Sequence, residues 1–255
     1  SRMFLTIAFF CLLGVFYGSF VGSYIIRFPK LIDAQSNVTI YSPRSRCEEC
    51  GATLKYYMLI PLLSYLIQRG RCLFCKRSIS KFYFLNEFFH LLLMASILWS
   101  GALPSNLESI LIFLVIVSLY AQFLIDLRHL ALSLFFSGKI LILGLILNGY
   151  FGLFTDIASS LMGAFAGYAS LYLINKIYFL IRKREGIGGG DFILLSSIGA
   201  LLGYQLLSIV VLIASLIALL IYFLGRQHYT NKVPFGSGLA LSAILIAAIK
   251  LSVMY

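Results

Sequence analysis

The chain has 255 residues, of which 61% are hydrophobic and 11% charged, with a mean hydropathy of +0.97 and a formal net charge of +11. Soluble domains hold about 45–50% apolar and about 25% charged residues, so this composition excludes a soluble globular protein. It lacks the alternating ten-residue segments of a membrane barrel, which leaves an all-α polytopic membrane protein.

Apolar runs of about 17–25 residues serve as the unit of span counting. Ser1-Arg2, ahead of Met3, read as an expression remnant and are set aside. The first span is predicted near 3–24. It has no small-residue cleavage site followed by a polar mature domain, so it reads as a retained helix rather than a signal peptide. Cys11 within it reads as a small lipid-facing or packing residue. A polar stretch follows from Arg27 to about Lys81. The second span runs near 84–100, then a short turn from Gly101 to Asn106 contains Pro104. The third runs near 107–126, and Arg128 and His129 mark the next loop. The fourth and fifth run near 132–152 and 156–181. A charged knot, Arg182-Lys183-Arg184-Glu185, leads into Gly186-Ile187-Gly188-Gly189-Gly190-Asp191. From Asp191 to Leu224 the chain is apolar but too long for one span. Gly203-Tyr204-Gln205 is the predicted break between a short sixth helix and a full seventh. A polar loop holding Arg226, His228 and Lys232 precedes the eighth, near 235–254. The expectation is about eight transmembrane helices in three parts: a first helix over 3–26, a small zinc-ribbon-like cytoplasmic module over 27–83, and a seven-helix membrane core over 84–255.

Charge fixes the orientation. With eight spans, the loops on one side hold 16 of the 20 basic residues. Lys139, Lys176 and Lys250 fall within helices, and the opposite loops hold essentially none beyond terminal Arg2. This skew places the large polar stretch in the cytoplasm and both termini outside. It also explains the positive charge by topology and by attraction to anionic lipid headgroups, so no nucleic-acid partner is expected.

Two C-x2-C pairs, Cys47/Cys50 and Cys72/Cys75, lie in the polar stretch. Four thiolates suit tetrahedral zinc in a closed structural site with no open coordination position. Gly51 after the first pair and Lys76-Arg77 after the second fit turn geometry. Two disulfides are the alternative, and a cytoplasmic location, where thiols stay reduced, argues against them. Tyr56, Tyr57, Pro61 and Tyr65 between the pairs read as a small core or a docking face.

Among nine acids, Asp126 and Asp191 alone combine an apolar flank with the same membrane depth. Asp126 closes the third helix, where an acid is disfavoured by the helix dipole; Asp191 opens the sixth, where one is favoured. An acid at a membrane edge marks a functional candidate. The glycines ahead of Asp191 are expected to allow unusual backbone angles and the close approach of a second backbone. Lys139, Asn148, Asn175 and Lys176 are expected to snorkel or to hydrogen-bond between helices. His129 and His228 read as loop residues, and His90 as buried in the second helix. The Gly163-to-Gly167 spacing suits close helix packing, or equally the pairing of two chains as a homodimer.

Together these motifs resemble the prepilin peptidases, membrane aspartic peptidases with a G-x-G-D motif. Gly18-Ser19-Phe20 with Arg27-Phe28-Pro29 resembles the family's first-helix signature. Ser45 to Cys50, Ile60 to Leu66 and Arg69 to Cys75 resemble its zinc module. Ile125 to His129, Gly188 to Asp191 and Val233 to Gly236 resemble its two aspartate motifs and its last-helix signature. Three positions depart from the pattern: Ser133 and Ser237 stand where proline is common, and Ile193 where lysine is common. The resemblance implies Asp126 and Asp191 as catalytic acids, zinc on Cys47, Cys50, Cys72 and Cys75, and Gly188 and Gly190 as backbone beside the substrate. It implies cleavage of a basic leader from type IV prepilins or pseudopilins after a glycine, at the cytoplasmic face of the bacterial inner membrane. It also implies S-adenosylmethionine-dependent N-methylation of the new terminus. Peptide hydrolysis needs water activated and an amine protonated, and two close carboxyls sharing a proton do both; neither role belongs to one acid singly. An ion-coupled transporter and a non-catalytic zinc-bearing membrane scaffold are the competing readings.

Overall fold

The computed structural model describes residues 2–33, 39, 42, 44–101, 103, 105–184, 186–225 and 233–254. Pro104, Glu185, Arg226, His228 and Lys232 lie outside the described residues. Among those described, the architecture is helical, and pairing of extended backbone is limited to two isolated bridges. Among the described residues, six helices are long and apolar enough to cross a membrane, and two shorter apolar helices, Leu134–Gly149 and Gly189–Leu202, bring the set to eight. The chain divides into two compact units, 1–101 and 102–255.

In the first unit, α1 (Arg2–Ile32) runs on through Arg27-Phe28-Pro29. The sequence ends it near 24, but Val21, Ile25 and Phe28 continue one buried face at helical spacing, and burial outweighs the polar signal. A 3-10 turn at Tyr56–Leu59 and the single-turn helix α2 (Leu63–Ile67) belong to the cysteine module. The chain then enters α3 (Lys81–Ser100), capped by Ser80. Helices α1 and α3 pack where glycine makes room for polar side chains. A Cβ at Gly18 would lie 2.6 Å from the ring of His90, and one at Gly22 2.8 Å from Asn86 Nδ2. The space is used: Asn86 Nδ2 donates to Gly18 O at 2.7 Å, and His90 is fully buried beside it.

The second unit holds α4 (Asn106–His129), α5 (Leu134–Gly149), α6 (Ile157–Arg182), α7 (Gly189–Leu202), α8 (Leu207–Leu224) and α9 (Phe235–Met254). A Ser105–Glu108 capping box starts α4, and the predicted break at Gly203 separates α7 from α8. The 14 residues of α7 span about 21 Å, less than the roughly 30 Å hydrocarbon core. Nearly every residue from Phe192 to Leu202 is buried, which makes α7 the central helix. Two contacts fix its position. Against α6, a Cβ at Gly199 would fall 2.1 Å from Gly163 O, so the backbones touch. The Gly163–Gly167 spacing is therefore engaged within the chain. Against α5, Asn148 donates to Ala200 O and Leu201 O at 2.9 Å, while its Oδ1 accepts from Phe154 and Thr155 N–H.

Candidate active site and metal centre

The cysteine module is one short motif used twice. In each copy the first cysteine's N–H donates to the carbonyl five residues on: Cys47 to Ala52 O at 2.9 Å, and Cys72 to Arg77 O at 2.8 Å. In each copy the residue four places after that cysteine, Gly51 or Lys76, donates back to the cysteine carbonyl with a left-handed φ of 70° or 59°. The bridges Arg46–Thr53 and Arg71–Ser78 close both knuckles at matching positions. Each knuckle presents two sulfurs, and all four Sγ atoms lie within 4.8 Å of one another, with Cys47 and Cys75 at 3.9 Å. Zinc–sulfur bonds of about 2.3 Å require sulfurs close to that separation, so the donor set fits a tetrahedral zinc site. Backbone N–H groups of Cys75 and Phe74 hold the Cys72 thiol down to about 7. The N–H of Arg77 pulls Cys75 down too, but burial and the neighbouring thiols push it up to about 11. Cys72 and Cys75 are pushed in opposite directions, a conflict that a bound dication would relieve. Both glutamates of the Cys-Glu-Glu-Cys turn have structural work. Glu49 pairs with Arg77 of the second knuckle at 2.9 Å, and Glu48 accepts from the Tyr83 hydroxyl of α3 at 2.9 Å. The Pro61-Leu62 turn is tied to the same helix, because Glu87 accepts from Leu62 N–H at 2.7 Å.

In the second unit, the two singled-out acids come together. Asp126, in the last turn of α4, and Asp191, the third residue of α7, lie within coulombic reach of one another. Asp126 is buried and Asp191 half-buried. Sequence reasoning leaves Asp126 unexplained as a cap because it closes its own helix. The structure shows it capping another one: its Oδ2 accepts from Ser237 N–H at 2.5 Å and from Ser237 Oγ at 2.8 Å, in the first turn of α9. It thereby satisfies one of the N–H groups that every helix start leaves open. Gly236 explains how the carboxyl gets so close, since a Cβ there would lie 3.1 Å from Asp126 Cγ. Each acid therefore stands at the first turn of a helix, where the dipole is positive.

Leu132 is the wall between these two helix starts. A Cβ on Gly190 would lie 3.0 Å from it, and one on Gly236 2.8 Å. Gly190 is thus explained sterically, whereas a Cβ on Gly189 would meet open space. Positive φ occurs at Gly51, Gly70, Gly101, Gly152 and Gly203, and not at Gly186 or Gly188 to Gly190. Gly188 caps α7 beside the Asp191 carboxyl, at 3.4 Å from Oδ2 to its ideal Cβ. The loop is also tethered, because Asn175 Oδ1 accepts from Gly186 and Ile187 N–H at 2.9 and 3.0 Å. Asn175 therefore holds a loop rather than a neighbouring helix.

Residues 12–101 match the bacterial peptidase A24 N-terminal domain, and residues 111–223 match the type IV leader peptidase family. A prepilin leader peptidase/N-methyltransferase of Pseudomonas aeruginosa is 32% identical over 252 residues, covering 91% of this chain and 86% of that relative. The chain belongs to the type IV leader peptidase family. Family members of the same name in Vibrio cholerae and Neisseria gonorrhoeae are 29% and 30% identical, covering 93% and 92% of this chain and 94% and 87% of theirs. No solved structure matches it.

Within this leader peptidase, two departures from the motif pattern have visible partners. Ser133 N–H donates to Gln122 Oε1 at 2.9 Å, while Gln122 Nε2 donates to Ser133 O and Ser137 Oγ at 2.8 and 2.6 Å. Ser237 provides the two bonds to Asp126 already described. A proline at either position would lack the N–H that is used. Neither partnership is readable from the sequence: Gln122 lies inside an apolar helix, and Ser237 is 111 residues from Asp126. Nothing in the structure explains Ile193 in the place of lysine.

Proposed function

We propose that this chain is a membrane aspartic endopeptidase that cuts the basic leader from type IV prepilins or pseudopilins after a glycine. Asp126 and Asp191 are the paired acids. The observation carrying this reading is their convergence from separate helices at two adjoining helix starts. Two carboxyls in one low-dielectric site share a proton, so one member activates water while the other polarises the scissile carbonyl and protonates the leaving amine. The pair titrates as a unit. Gly188 and Gly190 carry no side chains of their own beside the acids, which suits the approach of an extended substrate strand. The basic skew of the loops supports placing this site and the cysteine module on the cytoplasmic side of a bacterial inner membrane.

Cys47, Cys50, Cys72 and Cys75 would hold one zinc ion, which cross-links the two knuckles and leaves no position for a substrate. The names of the relatives also carry N-methylation, and we assign this chain the same second activity, with S-adenosylmethionine as donor.

Purified protein should cleave a prepilin, and Asp126→Asn and Asp191→Asn should each abolish cleavage. Survival of cleavage in either variant refutes the paired-acid mechanism, and failure of the wild-type protein to cleave favours the transporter or scaffold reading. Mass spectrometry of the product N-terminus, with and without the methyl donor, should show a gain of one methyl group only when the donor is present.

A further inference from the structure

The start of α9 bears on how the acid pair is held. Ser237 is fully buried and gives two donors to one oxygen: its N–H to Asp126 Oδ2 at 2.5 Å and its Oγ to the same atom at 2.8 Å. The hydroxyl also approaches Phe123 O at 3.2 Å, which sets its rotamer on the face of α4 that carries Asp126. Gly236 beside it leaves the carboxyl room to sit against the helix start. Among the described residues, Oδ1 of Asp126 has no such donor.

We propose that Ser237 is a positioning residue for Asp126, clamping Oδ2 to the first turn of α9 so that Oδ1 alone serves as the working oxygen. This rests on Asp126 being one of the catalytic acids. A carboxyl turning freely about its Cβ–Cγ bond offers either oxygen to a water, to a proton or to Asp191, and only part of that range is productive. Two donors on one oxygen remove the freedom before substrate arrives, and such preorganisation contributes where reacting atoms must lie within about 0.5 Å of the productive geometry. The clamp is particular to a chain with serine here: proline at this position would provide neither the N–H nor the hydroxyl.

The test is steady-state cleavage of a prepilin by the full-length protein in lipid nanodiscs, comparing wild type with Ser237→Ala and Ser237→Pro. Ser237→Ala keeps the N–H donor and loses the hydroxyl; kcat should fall roughly tenfold, the scale of one hydrogen bond to a charged group, with KM within about twofold. Ser237→Pro loses both donors and should fall further in kcat. Thermal unfolding separates a misfolded variant from a mispositioned acid, and Ser237→Gly, which also keeps the N–H, replaces the alanine variant if alanine fails to fold. Wild-type kcat in a folded alanine or glycine variant overturns the proposal, as does a fall that appears in KM alone. Asp126→Asn is run beside them. If it is inactive while Ser237→Ala is fully active, the positioning role fails and the acid pair stands; if it retains cleavage, the acid pair itself fails.

Discussion

Ser133 and Gln122 test whether a departure from the family pattern has been compensated inside this chain. Ser133→Pro strands the Gln122 Oε1 acceptor, and a buried polar group without its partner costs about 1–3 kcal/mol. Thermal unfolding in detergent should show that loss. Gln122→Leu alone breaks the same bond from the other side and also takes Nε2 from Ser133 O and Ser137 Oγ, so its cost should be smaller in the Ser133→Pro background than in the wild type. Losses that simply add in the double variant would mean that the two residues are not a pair. At this scale the sequence was informative about identity and silent about partners. Asp126, Asp191 and the four cysteines stand out by chemistry and spacing, because an acid in an apolar run and a C-x2-C turn have few ordinary uses. Ser237, Leu132 and Asn175 are ordinary residues, and only three-dimensional proximity gives them roles.

At the scale of elements, the position of Asp191 depends on how tightly α7 is pressed against α6. Gly163 and Gly199 face each other so closely that a methyl group on either meets a carbonyl oxygen at 2.3 or 2.1 Å. Backbone cannot yield as a flexible side chain does, so the helices must separate. Gly199→Ala should cost about 1–3 kcal/mol by overpacking and lower kcat by moving Asp191 relative to Asp126. Unfolding midpoint and cleavage rate measured on the same preparation should fall together; an unchanged rate would show that α7 slides without displacing its acid. The helices themselves were legible from apolar run length, including the break at Gly203. Their ends were less so: α1 passes through Arg27-Phe28-Pro29 because Ile25 and Phe28 still have a buried face to fill. Hydropathy reads polarity along the chain, whereas a helix stops where packing stops.

At the scale of the molecule, the two compact units depend on different forces. The membrane helices of unit 102–255 are held by burial, backbone contact and hubs such as Asn148, while the cysteine module, among the described residues, has two knuckles and a small buried core at Met58, Pro61 and Cys72. Metal should therefore matter locally. Elemental analysis is expected to find about one zinc per chain, lost in Cys47→Ser or Cys72→Ser. Chelation should raise amide hydrogen exchange across residues 44–79 while residues 106–202 keep their protection. Acidification should mimic the chelator, since protons compete with the metal for the thiolates. Exchange rising equally in both regions would show that the units unfold as one.

The bond from Asp126 to the start of α9 also affects how an inactive enzyme is made. Removing the Asp126 side chain deletes an acid and at the same time uncaps a helix 111 residues away in the chain. Removing that of Asp191 deletes an acid at the start of its own helix, whose cap residue is Gly188. The two knockouts are not equivalent reagents. For trapping an uncleaved substrate in an otherwise native enzyme, the Asp191 variant is the cleaner choice, and a substrate complex seen only with an Asp126 truncation would carry a loosened α9.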